Sequence, residues 1–212
     1  MNSAISCYLI AAGAGYFLGS CPNGYLVSRA RGIDIRKHGS GNIGATNVLR
    51  VLGKKWGYLV FALDALKGFV AVRLAFAIAS ALMIGPAQRE LVGIIAGLAC
   101  ILGHTFPFWL RFRGGKGVAT SAGVLLGLMP IAVFSVLAVW IILFKVTRYV
   151  SVASIGASVS LPLFVIVYQR FGLLTGASLL PFSILIAGVV VWRHRSNMQR
   201  LLQGKEQRFG QK

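Results

Sequence analysis

Residues 111–121 read Arg-Phe-Arg-Gly-Gly-Lys-Gly-Val-Ala-Thr-Ser, a cationic glycine loop between two apolar segments. Glycines allow consecutive backbone N–H groups to converge on one oxyanion, and Lys116 adds a point charge. The free amides at the start of a following helix would add partial positive charge. The stretch predicts an anion site for a phosphate-bearing ligand, although a tight turn whose basic residues only follow membrane topology explains this loop equally well.

The composition around this loop is that of a polytopic membrane protein. Of the 212 residues, 57% are apolar and only four are acidic. The net charge of +18 could indicate nucleic-acid binding, but the basic residues fall in short gaps between long apolar runs. That distribution favours anionic lipid and anionic substrates as partners over nucleic acid.

Five apolar runs are long enough to cross a bilayer, which takes roughly 20 mainly apolar residues per helix. They cover residues 4–27, 56–84, 91–110, 152–168 and 173–192. A longer run at 118–144 is interrupted by Gly127 and Pro130, and a hairpin of two short helices there keeps the basic residues at both its ends on one side. We therefore predict an all-α integral membrane protein with seven transmembrane helices, forming one domain over residues 1–212.

The basic residues are distributed unevenly over the two sides of this topology. Of the 22 Lys and Arg residues, only Arg89 and Arg170 fall on one side, and Lys67 and Arg73 lie within a span. All the others, Lys212 included, fall on the opposite side. The positive-inside rule places that side and the C-terminus in the cytoplasm and the N-terminus outside.

Asp64 and Lys67 lie three residues apart within the second span, where they would neutralise each other. A structural ion pair is the preferred interpretation, because a proton or ion relay would need a second acid deep in another span and the sequence has none. His104, at the end of the third span, is interpreted first as a hydrogen-bonded interfacial histidine.

Three further segments on the predicted cytoplasmic side are richer in polar side chains than a connecting loop requires. They cover residues 34–50, 147–154 and 193–206. Ser151 could cap a helix or contact a phosphate, and capping is the commoner use of serine at a helix start. His194 and Asn197, three residues apart, would share a face if the last helix continues past the bilayer. Glu206 is expected to pair with a neighbouring arginine.

Several common chemistries lack the residues they need. A Walker A loop requires glycine at position 110, which is Leu, so ATP hydrolysis is disfavoured. No His-x4-Asp pattern supplies the general-base dyad of the CoA-dependent glycerolipid acyltransferases, and no acid or Cys/His cluster offers a catalytic metal site. An enzyme without a carboxylate base can still transfer acyl groups from an activated donor by positioning substrates and neutralising oxyanions.

Two other classes of protein also place cationic polar loops at a membrane face. A small anion or phospholipid transporter would be expected to show internal repeats and polar sites at the bilayer midplane, and the sequence shows neither. A scaffold for anionic lipid would use interchangeable Lys and Arg, unlike the specific Ser, Asn, His and Gly content of these loops. A membrane enzyme is therefore the preferred interpretation.

Three motifs make that interpretation specific. They are Gly-Ser-Gly-Asn-Ile-Gly-Ala-Thr-Asn at 39–47, Gly-His-Thr-Phe-Pro-Phe-Trp-Leu-Arg-Phe-Arg-Gly-Gly-Lys-Gly-Val-Ala-Thr at 103–120 and His-Arg-Ser-Asn at 194–197. In content and order they resemble the signature regions of the PlsY family, bacterial acyl-phosphate:glycerol-3-phosphate acyltransferases, and the similarity extends from the first span to Glu206.

The resemblance implies a seven-helix enzyme of the bacterial inner membrane with its active site facing the cytoplasm. Such an enzyme moves a fatty acyl group from acyl phosphate to the sn-1 hydroxyl of glycerol 3-phosphate, giving lysophosphatidic acid and phosphate. No cofactor or metal is implied. The implied partners are the two substrates, the lipid bilayer and the soluble or peripheral enzyme that makes acyl phosphate.

The resemblance also implies roles for individual residues. The functional residues it implies are Ser40, Arg50, Lys116, His194 and Asn197. The substrate-binding residues it implies are Gly39, Gly41, Asn42, Thr46, Asn47, His104, Gly114, Gly115, Gly117 and Thr120, together with Ser151 in preference to Ser154. Within this set we expect residues 114–117 to bind glycerol 3-phosphate.

Overall fold

The computed structural model describes residues 2–210, and within that range its regular elements are all helical. The predicted all-α class is therefore confirmed. The chain divides into two compact units, Met1–Leu128 and Met129–Lys212. Lys212, one of the basic residues assigned to the cytoplasmic side, lies outside the described residues.

The first unit is built on three long helices. Its helices are α1 (Asn2–Ser20), α2 (Asn23–Arg29), α3 (Ala45–Leu52), α4 (Lys54–Ala81), α5 (Pro86–Thr105) and α6 (Val118–Leu128), with short 3-10 turns at Ile35–Lys37 and Phe108–Leu110. Helix α1 packs along α5, α4 packs against α5 and α6, and α3 lies on α4. The α5–α6 connection carries the glycine loop of residues 111–117, so this packing fixes both ends of that loop.

Glycines bring these helices into backbone contact. A Cβ atom on Gly19 of α1 would lie 2.7 Å from Cys100 Cα on α5, and one on Gly123 of α6 would lie 2.7 Å from the carbonyl carbon of Ala65 on α4. Gly97 packs in the same close way against Val124. Such contacts are a common way for helices to associate in a membrane, where apolar burial between helices drives little.

We expect Gly19→Ala to lower the stability of the first unit by about 1–3 kcal/mol, because the added methyl group must push α1 away from the α5 backbone. Gly13→Ala on the same helix is the matched control, since no atom lies within 4 Å of its Cβ position. Thermal unfolding of the detergent-solubilised protein measures both. Equal midpoints for the two variants would contradict the close-packing account.

The second unit contains four helices within its described residues. They are α7 (Pro130–Thr147), α8 (Val150–Arg170), α9 (Leu179–Arg193) and α10 (Arg195–Leu202). Helix α8 packs against both α7 and α9. The turn between α7 and α8 is tight, with Arg148 in a left-handed conformation at φ 63°. The indole Nε1 of Trp140 on α7 donates to Ser154 Oγ on α8 at 3.2 Å.

Four segments of the described chain are long and apolar enough to cross a membrane. They are Ala4–Arg29, Pro86–Leu110, Pro130–Thr147 and Val150–Arg170, and Val118–Leu128 and Leu179–Arg193 are shorter apolar helices. Helix α4 has 28 residues but carries three charged residues in its middle, Asp64, Lys67 and Arg73. The count of seven crossings and the orientation of the termini stay predictions.

The structure corrects several predicted helix boundaries. The predicted span 4–27 falls within the apolar segment Ala4–Arg29, but it is divided into two helices, because α1 ends at Ser20 and α2 begins after Pro22, whose ring removes a helical hydrogen bond. The last long helix begins at Leu179 and not at 173, after a turn that contains Gly172 at φ 70°.

The interruption expected near Pro130 is present between α6 and α7, where Pro130 is the first residue of α7 and needs no N–H partner. The prediction that the helices on both sides of Pro130 are short is wrong for α7. Helix α6 has 11 residues, whereas α7 has 18 and is long enough to span a bilayer.

Candidate functional site

The segment 34–47 is organised around the buried side chain of Asn47. Its Oδ1 accepts from the Ser40 amide at 2.9 Å, and its Nδ2 donates to the carbonyl oxygens of Asn42 and His38 at 2.8 and 3.0 Å. Gly39, at φ 59°, packs against this amide so closely that a Cβ would collide with it. Asn47 therefore shapes the loop that presents Ser40, and its direct contact with substrate stays a prediction.

Asp34 begins this segment and is paired within it. Arg36 Nη2 lies 2.7 Å from Asp34 Oδ2, and Arg36 Nε donates to Asp34 Oδ1 at 2.9 Å. These hydrogen bonds hold the pKa of Asp34 well below its usual range. The carboxylate is thus kept ionised and occupied by its own arginine.

The glycine loop is tied to the end of α5 by its backbone. The Gly114 amide donates to the Thr105 carbonyl at 3.0 Å and the Gly115 amide to the His104 carbonyl at 3.1 Å. Carbonyls at a helix C-terminus lack helical donors, and the loop supplies them. The expectation that these two amides converge on an anion is therefore wrong, and their part in substrate binding stays a prediction.

The start of α6 offers other donors to the same loop. Its first helical hydrogen bond runs from the Ser121 amide to the Gly117 carbonyl at 2.7 Å, so the amides of the three residues before Ser121 precede the helical pattern. The buried hydroxyls of Thr105, Thr120 and Ser121 have no hydrogen-bond partner among residues 2–210. A Cβ on Gly117, at φ 80°, would lie 3.5 Å from Thr105 Oγ1 and 4.0 Å from Ser121 Oγ. Amides at a helix N-terminus can bind an anion, and that those at the start of α6 do so stays a prediction.

Both loops of the first unit rest on one apolar cluster. Ile35 from the first loop, Val48 from α3 and Leu110 from the 3-10 turn directly before the glycine loop are buried together with Ile43 and Val60. The fold thereby brings the segment 34–50 and the segment 111–121 to the same end of the first unit. The predicted topology, which puts both segments on one side of the membrane, requires this.

The Asp64–Lys67 ion pair predicted from the sequence is confirmed, with Lys67 Nζ 3.0 Å from Asp64 Oδ1 and both side chains buried. The pair has additional partners. Lys67 Nζ lies 3.0 Å from His104 Nδ1, and Asn23 Nδ2 donates to Asp64 Oδ1 at 3.0 Å. The prediction of a hydrogen-bonded His104 is likewise confirmed, with a partner that sequence spacing did not reveal.

In the second unit, Glu206 is the centre of a buried cluster. Its Oε1 accepts from Ser151 Oγ at 3.0 Å and from Asn197 Nδ2 at 2.6 Å, and its Oε2 accepts from Arg200 Nε at 2.8 Å. The predicted pairing of Glu206 with a neighbouring arginine is confirmed. The alternative of Ser151 as a helix cap is wrong, because Tyr149 is the N-cap of α8 and Ser151 lies in its first turn.

Two neighbouring candidates are placed differently. Ser154 donates to the Val150 carbonyl at 2.8 Å and accepts from Trp140, so its hydroxyl takes part in helix packing. His194 is buried at the junction of α9 and α10, where the last helix breaks instead of continuing. Its Nδ1 lies 2.8 Å from the Val190 carbonyl, which can only accept, so Nδ1 carries the hydrogen.

The pKa of Glu206 reflects two opposed effects. Burial raises it, but the hydrogen bonds from Asn197 and Arg200 and the Arg200 charge outweigh burial and hold the pKa below its ordinary value. A carboxyl whose pKa is lowered by folding stabilises the fold above its unfolded pKa, and that contribution is lost as the pH falls through the folded value.

We expect Glu206→Gln to lower the free energy of unfolding by about 1–3 kcal/mol near neutral pH, because the charged acceptor of Arg200 is lost. The variant should also lose stability less steeply than the unaltered protein when the pH falls below the ordinary glutamate pKa. Thermal unfolding over an acidic pH series measures both effects, with Glu90→Gln on α5 as control. Identical pH profiles for the Glu206 variant and the unaltered protein would contradict the cluster.

Comparison with models of protein families gives a match over nearly the whole chain. The model of the family described as glycerol-3-phosphate acyltransferase matches residues 9–204. The chain belongs to this family. The resemblance inferred from the three motifs is thereby confirmed, and the match includes both loops of the first unit and the α9–α10 junction of the second.

The chain aligns with its relatives over almost their whole length. Glycerol-3-phosphate acyltransferases of Desulforudis audaxviator and Geobacter sulfurreducens are 46% and 44% identical to the chain; each comparison covers 95% of it, with 95% and 97% of the relative. Crystal structures of PlsY, an integral membrane glycerol 3-phosphate acyltransferase, in its glycerol 3-phosphate form and its lysophosphatidic acid form superpose with TM-scores of 0.83 and 0.81. Both are 40% identical, and the matches cover 96% of this chain and 96% and 95% of the PlsY chains.

Of the site residues predicted for this PlsY-family chain, two groups are brought together. Gly39, Ser40, Asn42 and Asn47 share one hydrogen-bonded loop, and Ser151 and Asn197 share the Glu206 carboxylate. Arg50 lies on α3, the helix that follows the first loop, and Thr46 lies beside Asn47 in the same helix. Sequence reasoning missed the hydroxyls of Thr105 and Ser121, for which the density of small polar residues around Gly117 was the available signal.

Proposed function

We propose that this chain transfers a fatty acyl group from acyl phosphate to the sn-1 hydroxyl of glycerol 3-phosphate, with release of phosphate and formation of lysophosphatidic acid. We place the enzyme in the bacterial inner membrane, with its active site facing the cytoplasm. The observation that carries the proposal is near full-length membership of a family whose solved members are described in glycerol 3-phosphate and lysophosphatidic acid forms.

The proposal assigns no carboxylate as general base. The four acids of the chain are Asp34, Asp64, Glu90 and Glu206. Three of them accept hydrogen bonds from cationic partners of their own, and Glu90 lies near the start of α5, far along the helix from His104. A carboxylate held by arginine or lysine is a poor proton acceptor, because the neighbouring charge favours its ionised form.

In the first unit, the proposed role is to bind and neutralise phosphate. Lys116 supplies a charge beside the α6 N-terminus, Arg50 supplies a second from α3, and Ser40 is presented by the loop that Asn47 shapes. Thr120, fully buried and without a protein partner in the described range, adds a hydroxyl near the helix start. Cationic and amide donors of this kind stabilise charge that develops on a leaving phosphate.

In the second unit, the proposed role is to orient the reacting oxygen. Glu206 accepts from Asn197 Nδ2 and so fixes which way the Asn197 amide points. The Val190 carbonyl fixes His194 with hydrogen on Nδ1, which leaves Nε2 of the neutral ring as an acceptor. We assign Asn197 to the attacking hydroxyl and His194 to positioning or polarising a substrate oxygen.

The proposed reaction is one acyl transfer. The sn-1 hydroxyl oxygen attacks the acyl carbonyl carbon, the bond from that carbon to the phosphate oxygen breaks, and the hydroxyl proton passes to a substrate phosphate. The donor is already activated, so the protein contributes mainly proximity and electrostatic stabilisation. No metal or cofactor is assigned.

The deciding experiment supplies purified protein with glycerol 3-phosphate and either acyl phosphate or acyl-CoA. We expect lysophosphatidic acid and phosphate in equal amounts with acyl phosphate and no product with acyl-CoA. Product is measured by mass spectrometry and phosphate by a colorimetric assay. Activity with acyl-CoA alone would overturn the assignment of the donor, and no activity with either would overturn the function.

Lys116→Ala should lower kcat/KM for glycerol 3-phosphate by about 100-fold or more, in the range found when one preorganised charge-stabilising donor is removed. Lys145→Ala is the control, because Lys145 is an exposed basic residue in the last turn of α7 outside all three motifs. Steady-state kinetics with acyl phosphate measures both variants. If the two variants lose activity equally, Lys116 contributes only to the general positive charge.

A further inference from the structure

A buried polar cluster links three helices of the first unit directly beneath the glycine loop. Its members are Asp64 and Lys67 on α4, His104 in the last turn of α5 and Asn23 at the start of α2. The three titratable side chains are 2%, 8% and 5% exposed, respectively. Burial of this many polar groups in a membrane protein is costly, so a functional use is worth testing.

The Lys67 ammonium has three hydrogens and three acceptors. Nζ donates to the Cys21 carbonyl at 2.8 Å and lies 3.0 Å from both Asp64 Oδ1 and His104 Nδ1. An ammonium can donate but cannot accept. His104 Nδ1 must therefore be the accepting nitrogen of its ring, and the ring hydrogen of a neutral imidazole then sits on Nε2.

Charge balance supports the same assignment. Asp64 and Lys67 already neutralise each other, and an imidazolium at His104 would leave a net positive charge in the buried cluster. It would also point an Nδ1–H group at an ammonium. The distance of 3.6 Å from His104 Nδ1 to Asp64 Oδ1 is too long for a hydrogen bond that could compensate.

The other edge of the ring faces the glycine loop. A Cβ on Gly115 would collide with His104 Nε2, so only glycine lets the loop backbone pass so close to that atom. The Gly115 amide also donates to the His104 carbonyl at 3.1 Å. His104 thus touches the residue before Lys116 with both its backbone and its ring.

We propose that Asp64 and Lys67 are positioning residues that fix His104 as a neutral imidazole with its Nε2–H facing the glycine loop, where it donates a hydrogen bond to the phosphate bound beside Lys116. The proposal rests on the proposed function. It gives the buried ion pair a task in substrate recognition, carried out through His104, and makes Nε2 an uncharged donor next to the charged donor of Lys116.

Two substitutions at His104 separate the two edges of the ring. His104→Asn can keep an acceptor near the Nδ1 position for Lys67, but it is too short to place a donor where Nε2 lies. His104→Gln can place an amide N–H near the Nε2 position. We expect His104→Asn to raise the KM for glycerol 3-phosphate about 10- to 100-fold with kcat little changed, the loss typical of one hydrogen bond to a charged group.

His104→Gln should restore KM to within about threefold of the unaltered enzyme, an energy difference below 1 kcal/mol. Thermal unfolding of both variants accompanies the kinetics, with Ser183→Ala, another fully buried polar residue, as control for effects of core substitution. An unchanged KM for His104→Asn, or an equal rise for both His104 variants, would overturn the Nε2–H assignment.

The tautomer can be observed without activity. The chain has three histidines, so protein labelled with nitrogen-15 histidine gives few ring signals, and His104→Asn identifies those of residue 104. We expect Nε2 to carry hydrogen and Nδ1 to carry none. The double variant Asp64→Asn with Lys67→Met removes both charges together. In this variant we expect the His104 ring to populate the tautomer with hydrogen on Nδ1 as well.

A protonated Nδ1 in the unaltered protein would overturn the proposal, and this measurement stands even if the double variant does not fold. The two proposals fail separately. Absence of lysophosphatidic acid formation by the unaltered protein would overturn the proposed function, whereas an active enzyme with an indifferent His104→Asn variant would overturn only the role of His104.

Discussion

The first unit depends on one buried ammonium. Lys67 Nζ satisfies the carbonyl of Cys21 at the α1–α2 break, the carboxylate of Asp64 on its own helix and the imidazole of His104 at the end of α5. Each contact would be costly to leave unmade inside a membrane protein, because an isolated buried charge has no water to solvate it. The end of α1, the start of α2 and the end of α5 are thus all held near one side chain of α4.

The helices of the two units are held together by different kinds of contact. In the first, the chain is held by close glycine contacts between helices and by the apolar cluster beneath the loops. In the second, the carboxylate of Glu206 joins the start of α8 to α10 through Ser151 and Asn197. In the first unit His104 lies beside the Asp64–Lys67 pair, and in the second Asn197 donates to the carboxylate of the Glu206–Arg200 pair. Three of the acids thus have structural contacts, because Asp34, Asp64 and Glu206 are each held in an ion pair.

Sequence reasoning succeeded where local signals are sufficient. Long apolar runs indicated the helices, Pro130 indicated the start of α7, and the spacing of Asp64 and Lys67 indicated an ion pair on one helix face. It does not separate α1 from α2, because hydropathy taken over a whole span does not register a break at the single residue Pro22.

Partners that are distant in the chain could not be predicted. His104 is 37 residues from Lys67, and Glu206 is 55 residues from Ser151. Periodicity specifies which face of a helix is buried, but it does not specify which other helix that face meets. For the same reason the sequence of the glycine loop alone is compatible with both an anion site and a tight turn, because the carbonyls that two of its amides bind belong to a neighbouring element.

The attachment of the glycine loop to α5 also limits how this part of the molecule can move. Opening the loop as a flap would first break its two backbone hydrogen bonds to His104 and Thr105, at a cost of about 1–3 kcal/mol in total. The exposed segment 36–41 is held in another way, by the Asn47 side chain in the first turn of α3, which accepts from the Ser40 amide and donates to the His38 carbonyl. Each of the two loops at this end of the first unit is thus fastened to one end of a helix, the glycine loop to the end of α5 and the segment 36–41 to the start of α3, so a shift of either helix end would carry its loop with it.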